Sequence, residues 1–136
     1  MDEMACVCSQ FRRASRALTR RYDLALRPLG LTVTQFSILG ALRPREMTQG
    51  ELGKKFLMNS TTLTRTLRPM EKLGWIRSAP GDDQRQRWLS ITSKGRLLFE
   101  KACPAWQRTQ NELLRHFGSR EWDELQTGVA RLTALA

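Results

Sequence analysis

MTQGELGKKFLMNSTTLTRTLRPMEKLGWIRSAPGDDQRQRWLSIT, residues 47–92, is the stretch that decides the fold. Its opening Thr48-x-x-Glu51 predicts a capping box, in which the Thr side chain accepts from the Glu51 N–H and the Glu carboxylate bonds back to the Thr48 N–H. Asn59 or Ser60 then caps a second, longer helix. The stretch therefore begins with two helices that are joined by a short turn.

The second helix has an apolar side and a polar side. Leu63, Leu67 and Met70 recur at i, i+4 and i+7, which predicts one buried stripe, and Gly74 is placed to end the helix. At about 100° per residue, the opposite face carries hydroxyls and cations, the groups that pair with base edges and phosphates in a major groove. An ordinary solvated helix face fits this segment equally well.

A hairpin follows the second helix. Residues 75–77 and 88–91 are strand-like, and residues 80–83 mark a turn between them. An Arg on the tip of a projecting hairpin can enter a minor groove, and an Asp beside it can fix its direction. The residues assigned to DNA are Asn59, Ser60, Thr61, Thr62, Arg65, Arg68, Lys72, Arg85 and Arg87, and those assigned to supporting the hairpin are Asp83 and Arg77.

The order and spacing of five motifs resemble the MarR-type winged helix-turn-helix regulators, over about residues 8–135. The resemblance implies that the helix beginning near Asn59 is a recognition helix and that Arg85 is the arginine at the tip of the wing. Two positions depart from the family pattern: Pro69, which predicts a kinked or frayed last turn, and Gln84, where a basic residue is common. The motifs are Leu31-Thr32-x-Thr34-Gln35-Phe36-x-Ile38-Leu39, Thr48-Gln49-x-Glu51-Leu52, Thr61-Thr62-Leu63-Thr64-Arg65, Met70-Glu71-Lys72-Leu73-Gly74-Trp75-Ile76 and Asp83-Gln84-Arg85.

The chain is strongly basic. It has 23 Lys and Arg against 13 Asp and Glu, a net charge of +10, and residues 31–92 hold ten of the basic and five of the acidic residues. Such an excess favours a polyanionic partner, although charge alone does not separate DNA from RNA or an acidic membrane. The absence of a long apolar run and of a signal-peptide pattern, together with only three Cys, predicts a cytoplasmic protein that does not enter a membrane.

Helical arms flank the winged part. The predicted architecture is mainly α with a small β-hairpin wing: one chain, 1–136, with a DNA-binding part at 31–92 and a helical dimerisation part formed by 4–29 and 93–136. The arms carry more apolar surface than the winged part can cover, which predicts a homodimer. An isologous dimer would present two recognition helices to a pseudo-palindromic site, in grooves about 10 bp apart or a multiple of that distance.

Two cysteines near the start of the first helix are candidates for a redox switch. Cys8 precedes Tyr22 by fourteen residues, a spacing similar to that of the reactive Cys and its partner Tyr in the organic-hydroperoxide-sensing branch of the family, although Arg12 stands where that branch has a second Tyr. The helix N-terminus and Arg12 would favour the thiolate of Cys8 or Cys6, and oxidation could shift the recognition helices. The alternative is that both Cys simply pack at a dimer interface.

The family resemblance also implies a crevice for small aromatic or anionic effectors, whose candidate lining is Arg12, Arg16, Tyr22 and Trp106. Cys6-x-Cys8 and the single His116 do not have the spacing of a metal site, and no catalytic motif is present, so neither a cofactor nor an enzyme is predicted. The predicted function is a sequence-specific repressor of double-stranded DNA, released by a small aromatic ligand or by cysteine oxidation. The alternative is a winged-helix module that binds RNA or a protein partner.

Overall fold

A computed structural model describes residues 6–136 of the chain. The predicted class, mainly α with a small β part, is confirmed. The elements are α1 (Val7–Leu26), a 3-10 turn (Arg27–Leu29), α2 (Val33–Leu42), β1 (Met47–Thr48), α3 (Gln49–Phe56), α4 (Ser60–Lys72), β2 (Ile76–Pro80), β3 (Arg87–Ile91), α5 (Ser93–Phe117) and α6 (Ser119–Thr133).

The first helix is shorter than the predicted span of residues 4–29. It begins at Val7 and ends at Leu26, and the last three residues of the predicted span form a 3-10 turn, while residues 4 and 5 lie outside the described part. Pro28 has no N–H to donate to the preceding turn, which favours an end to the α-helix before it. Gly30, at φ 72°, then turns the chain towards α2.

The wing contains a third strand that the sequence did not predict. β1 pairs with β3 in an antiparallel register, Met47 opposite Leu89, and the sheet order is β1-β3-β2. A strand of two residues is too short to show alternation of apolar and polar residues. In addition, Thr48 of β1 is the cap of α3, so the sequence pattern at this point indicates only a helix start. The three strands attach the wing to the start of the helix-turn-helix.

The core lies behind α4. Leu63, Leu67 and Met70 are buried as predicted, at 0–4% exposure. On α5, Phe99 stacks on Phe36 of α2 at 4.6 Å between ring centroids. The inner face of α4 is therefore fixed by apolar packing, which leaves its outer face to solvent.

The N-terminus of α5 lies directly against the end of α4. The Thr92 hydroxyl caps α5 by accepting from the Gly95 N–H at 3.0 Å, and it donates to the Gly74 carbonyl at 2.5 Å. Gly95 is so close to the residue before β2 that a Cβ there would lie 2.0 Å from the Trp75 carbonyl oxygen. Only glycine permits this approach.

Apolar side chains along the two arms remain uncovered within one chain. Residues Phe11 and Leu18 of α1 are 43% and 44% exposed, and Leu132 of α6 is 43% exposed. Leu125 and Val129, on the same side of α6, are exposed to a similar extent. Across residues 6–136, no helix combines the length and the apolar character that crossing a bilayer requires.

Candidate nucleic-acid interface

A tight turn sets α4 against α3. Leu57 adopts a left-handed conformation, at φ 52°, and the Met58 N–H donates to the Gly53 carbonyl at 2.9 Å. The Asn59 side chain accepts from the Thr62 N–H at 2.8 Å, so Asn59 is the cap and Ser60 is the first helical residue. The start of the helix is thus fixed by its own sequence.

The outer face of α4 forms an open groove of about 660 Å³. All five polar residues assigned to this face, Thr61, Thr62, Arg65, Arg68 and Lys72, are exposed. Two further residues belong to the groove, Thr64 and Pro69, and the sequence reading missed both. Thr64 is half-buried, and its hydroxyl accepts from the side-chain amide of Gln49 at 2.9 Å, which ties α4 to α3.

Of the two outcomes predicted from Pro69, a kinked or a frayed last turn, fraying does not occur, since α4 continues to Lys72. Gly74, at φ 76°, closes the helix with the Trp75 N–H donating to the Met70 carbonyl at 2.9 Å. This is the Schellman arrangement, which satisfies carbonyls at a helix end. The Lys94 ammonium also donates to the Leu73 carbonyl at 2.9 Å. Contacts beyond the helix therefore hold the turn that proline weakens.

The tip of the wing is ordered by its own backbone. The Asp83 carboxylate accepts from the Arg85 N–H at 3.0 Å, and the Gln86 N–H donates to the Asp83 carbonyl at 2.9 Å. Gly81 lies against the Trp88 indole, where a Cβ would be 2.8 Å from the ring nitrogen. Arg85 is exposed on this tip, with its direction set by the backbone that Asp83 fixes.

The two strand arginines of the wing have different surroundings. Arg87 donates to the Ser78 hydroxyl at 2.6 Å, and that hydroxyl donates to the Glu71 carboxylate at 2.7 Å. Arg77 is exposed on the other side of the sheet and makes no side-chain hydrogen bond or ion pair within residues 6–136. Of the residues assigned to wing support, Asp83 is thus part of a hydrogen-bonded turn, while Arg77 is free.

The candidate redox cysteines lie at the start of α1, where it meets the end of α6. Cys8 is exposed in a groove of about 390 Å³, where α1 contributes Val7 and Phe11 and the end of α6 contributes Leu132. Cys6 precedes α1 and makes no side-chain cap. At a rise of 1.5 Å per residue, Tyr22 lies about 21 Å along α1 from Cys8, so a contact between them would need a second chain.

The four residues assigned to an effector crevice do not meet within one chain. Arg12 and Arg16 are exposed, and Arg12 lies about 15 Å along α1 from Tyr22. The buried Tyr22 hydroxyl donates to the Gln110 side chain, and burial raises the pKa of that hydroxyl. Trp106 stacks on Phe36 at 5.7 Å. Two of the four residues thus have packing roles.

Residues 6–136 bring no three Cys, His, Asp or Glu side chains together in a way that could hold a metal ion. At the candidate interface, the exposed polar side chains on the outer face of α4 are cations and hydroxyls. Its charge suits a polyanion, and its helix has the width to enter a groove.

Comparison with known proteins gives consistent matches. A family model described as "MarR family" matches residues 29–86. The chain is 35% identical over 98 residues to the organic hydroperoxide resistance transcriptional regulator of Bacillus subtilis, covering 71% of this chain and 67% of the relative. Among solved structures, M. tuberculosis transcriptional regulator MosR in complex with DNA has a TM-score of 0.88 and 38% identity, covering 96% and 95% of the two chains. A mutant of E. coli MarR complexed with operator DNA shares the fold, with a TM-score of 0.85 and 23% identity over 96% of each chain.

Proposed function

Because this chain belongs to the MarR family of transcriptional regulators, we propose that it represses transcription by binding a pseudo-palindromic DNA site as a homodimer. The observation that carries the proposal is the exposed outer face of α4, with three cations and two threonines above a fully packed inner face. The named relatives are transcriptional regulators, in agreement with the prediction that the chain is not an enzyme. A protein that acts on the chromosome would work in the cytoplasm.

In this proposal the recognition helix lies in the major groove. Thr61, Thr62 and Arg65 lie in its first half and would meet base edges, whereas Arg68 and Lys72 lie nearer its C-terminal end and would meet phosphates. The wing would place Arg85 in the adjacent minor groove. This division separates the side chains that read sequence from those that supply affinity.

Competition distinguishes this function from the RNA-binding or protein-binding alternative. Unlabelled duplex DNA that contains the selected site should displace a labelled copy far better than tRNA at equal nucleotide concentration, because base-edge contacts need a major groove open to a helix. Equal competition by tRNA would favour the alternative.

The uncovered faces of the arms support dimerisation. A second copy related by a two-fold axis would bury the apolar stripe of α6 and the exposed Phe11 and Leu18 of α1 in a single isologous interface. A monomer that exposed this surface would carry an apolar patch larger than soluble proteins usually tolerate. Two copies are also what a pseudo-palindromic site requires.

A charge in that stripe should separate the two copies. Leu132→Asp is expected to give a monomer at micromolar concentration in sedimentation and to lower affinity for the site by at least about tenfold, because the second half-site contact is lost. Leu24→Asp is the matched control, since Leu24 is 59% exposed and lies on another side of α1. A parent chain that sediments as a monomer would contradict the dimer.

We further propose that oxidation of Cys8 releases the DNA. The Cys8 thiolate would attack one oxygen of an organic hydroperoxide, so that the O–O bond breaks, a sulfenic acid forms on sulfur, and the alkoxide leaves and takes a proton as the alcohol. Exposure of Cys8 in the groove between α1 and α6 supports this step, as does the similarity to a hydroperoxide resistance regulator. A polar group formed there would alter packing between the arms.

Treatment with an organic hydroperoxide should therefore lower DNA affinity by at least about tenfold, the size of a typical allosteric coupling. The Cys8→Ser variant should bind DNA equally well with and without the hydroperoxide. The Cys103→Ser variant, which changes the half-buried thiol of α5, should lose DNA affinity on treatment as the parent does. Unchanged affinity, with Cys8 still reduced by mass spectrometry, would exclude the switch.

Release by a small aromatic anion stays a prediction, and a thermal-shift screen with aromatic carboxylates would test it.

A further inference from the structure

The register of the wing places one serine and one arginine on the same face of the sheet. Ser78 pairs with Leu89, and Pro80 pairs with Arg87, so Ser78 and Arg87 are diagonal neighbours. Leu89 on this face is buried, which shows that the face is turned towards the core and α4. Arg77 is the residue next to Ser78 in β2 and therefore lies on the opposite face of the sheet.

A single hydroxyl joins the recognition helix to the wing at this point. The Ser78 hydroxyl donates to Glu71, in the last turn of α4, at 2.7 Å, and it accepts from the Arg87 guanidinium at 2.6 Å. Both distances are those of hydrogen bonds to charged groups, which are shorter and stronger than neutral ones. Glu71 and Arg87 do not form a direct ion pair among the described residues, so Ser78 is the only link between them there.

This link leaves most of the arginine available. Arg87 has five N–H donors in a rigid fork, and the bond to Ser78 uses one nitrogen, Nη2. The other nitrogens remain free to bind an anion at the base of the wing. An arginine side chain that is already fixed loses less conformational freedom on binding than a mobile one does.

We propose that Ser78 and Glu71 are positioning residues that hold Arg87 for contact with the DNA backbone, so that the wing and the recognition helix approach DNA as one unit. This inference rests on the proposed function, because it assumes that DNA is the ligand. It adds that the affinity contributed by Arg87 depends on a serine that does not itself touch DNA.

A double-mutant cycle on the selected DNA site tests the proposal. Arg87→Ala should lower affinity and reduce the slope of log affinity against log salt by about 0.9 for each lost phosphate contact. Ser78→Ala should lower affinity by about threefold to tenfold and leave that slope unchanged, because the charge is kept. In the Arg87→Ala background, Ser78→Ala should have no further effect. Ser78→Thr, which keeps the hydroxyl, should restore parental affinity.

The control for the cycle is Arg77→Ala on the opposite face of the sheet. In that background Ser78→Ala should cost as much as it does in the parent. An equal cost of Ser78→Ala with and without Arg87 would overturn the proposal. Should Ser78→Ala melt at a lower temperature, Glu71→Gln gives a second cycle with Arg87→Ala, and additivity there would overturn the proposal as well. Failure of the proposed function has a different signature, since the parent chain would then show no preference for duplex DNA.

Discussion

The Gly95→Ala variant is expected to be at least about 3 kcal/mol less stable than the parent, the upper range for overpacking a filled site. The added Cβ would lie 2.0 Å from the Trp75 carbonyl oxygen and 3.1 Å from the Ile91 side chain. The first of these atoms belongs to the backbone and cannot rotate away, so α5 must move off the end of the recognition helix. Urea unfolding followed by circular dichroism would measure the loss, and the melting temperature should fall by roughly 10 °C.

Gly50→Ala is the matched control for this substitution. Gly50 also lies in a helix, α3, but a Cβ there would be in ordinary contact, 3.9 Å from the Thr48 hydroxyl. Because alanine favours helix over glycine, this change should be neutral or stabilising by up to about 1 kcal/mol. If both variants unfolded at the same urea concentration, the close approach of α5 to Trp75 would not be the feature that holds α4 in place.

The Arg65→Ala variant is expected to lose about 1–3 kcal/mol of DNA-binding free energy, or roughly fivefold to 150-fold in affinity. Arg65 is exposed at the centre of the α4 face, where it can form a bidentate pair with guanine. The loss should fall on one base pair in each half-site, because phosphate contacts elsewhere are unchanged. Fluorescence anisotropy with the selected site and with single-base variants of it would measure this.

Two other arginine variants serve as controls for Arg65→Ala. Arg108→Ala removes the same charge from the exposed surface of α5, outside the interface, and should change affinity by less than about twofold. Arg85→Ala should weaken binding about equally across sequences, since the wing reads groove width more than base identity. If Arg65→Ala and Arg85→Ala both bound the site as the parent does, the interface would have been placed wrongly.

Local sequence signals were enough to predict the helix-turn-helix. The capping box predicted at Thr48 is formed, and Thr32-x-x-Gln35 forms a second one at the start of α2, because each depends only on two side chains three residues apart. The buried and exposed faces of α4 follow from the helical period of about 3.6 residues, which holds over the whole length of a short helix. The choice between Asn59 and Ser60 as the cap could not be made from sequence, since both residues can accept the bond.

Features that depend on distant contacts could not be predicted. The sequence of α5 suggests one apolar side formed by Leu98, Ala102, Ala105, Trp106, Leu113 and Phe117, which omits the buried Phe99 and Thr109. The first half of α5 packs on the winged part and its last turns are exposed, so no single stripe runs the length of the helix. The pairing of Ser78 with Glu71 and Arg87 likewise depends on strand register, which the turn sequence alone does not fix.

The most direct test of the account is selection of bound sequences from random duplexes, carried out with the parent chain and with Arg65→Ala. We expect an inverted repeat whose half-sites are centred about 10 bp apart or a multiple of it, and loss of preference at one position in each half with the variant. No enriched sequence with the parent, or an identical preference at every position with the variant, would contradict it.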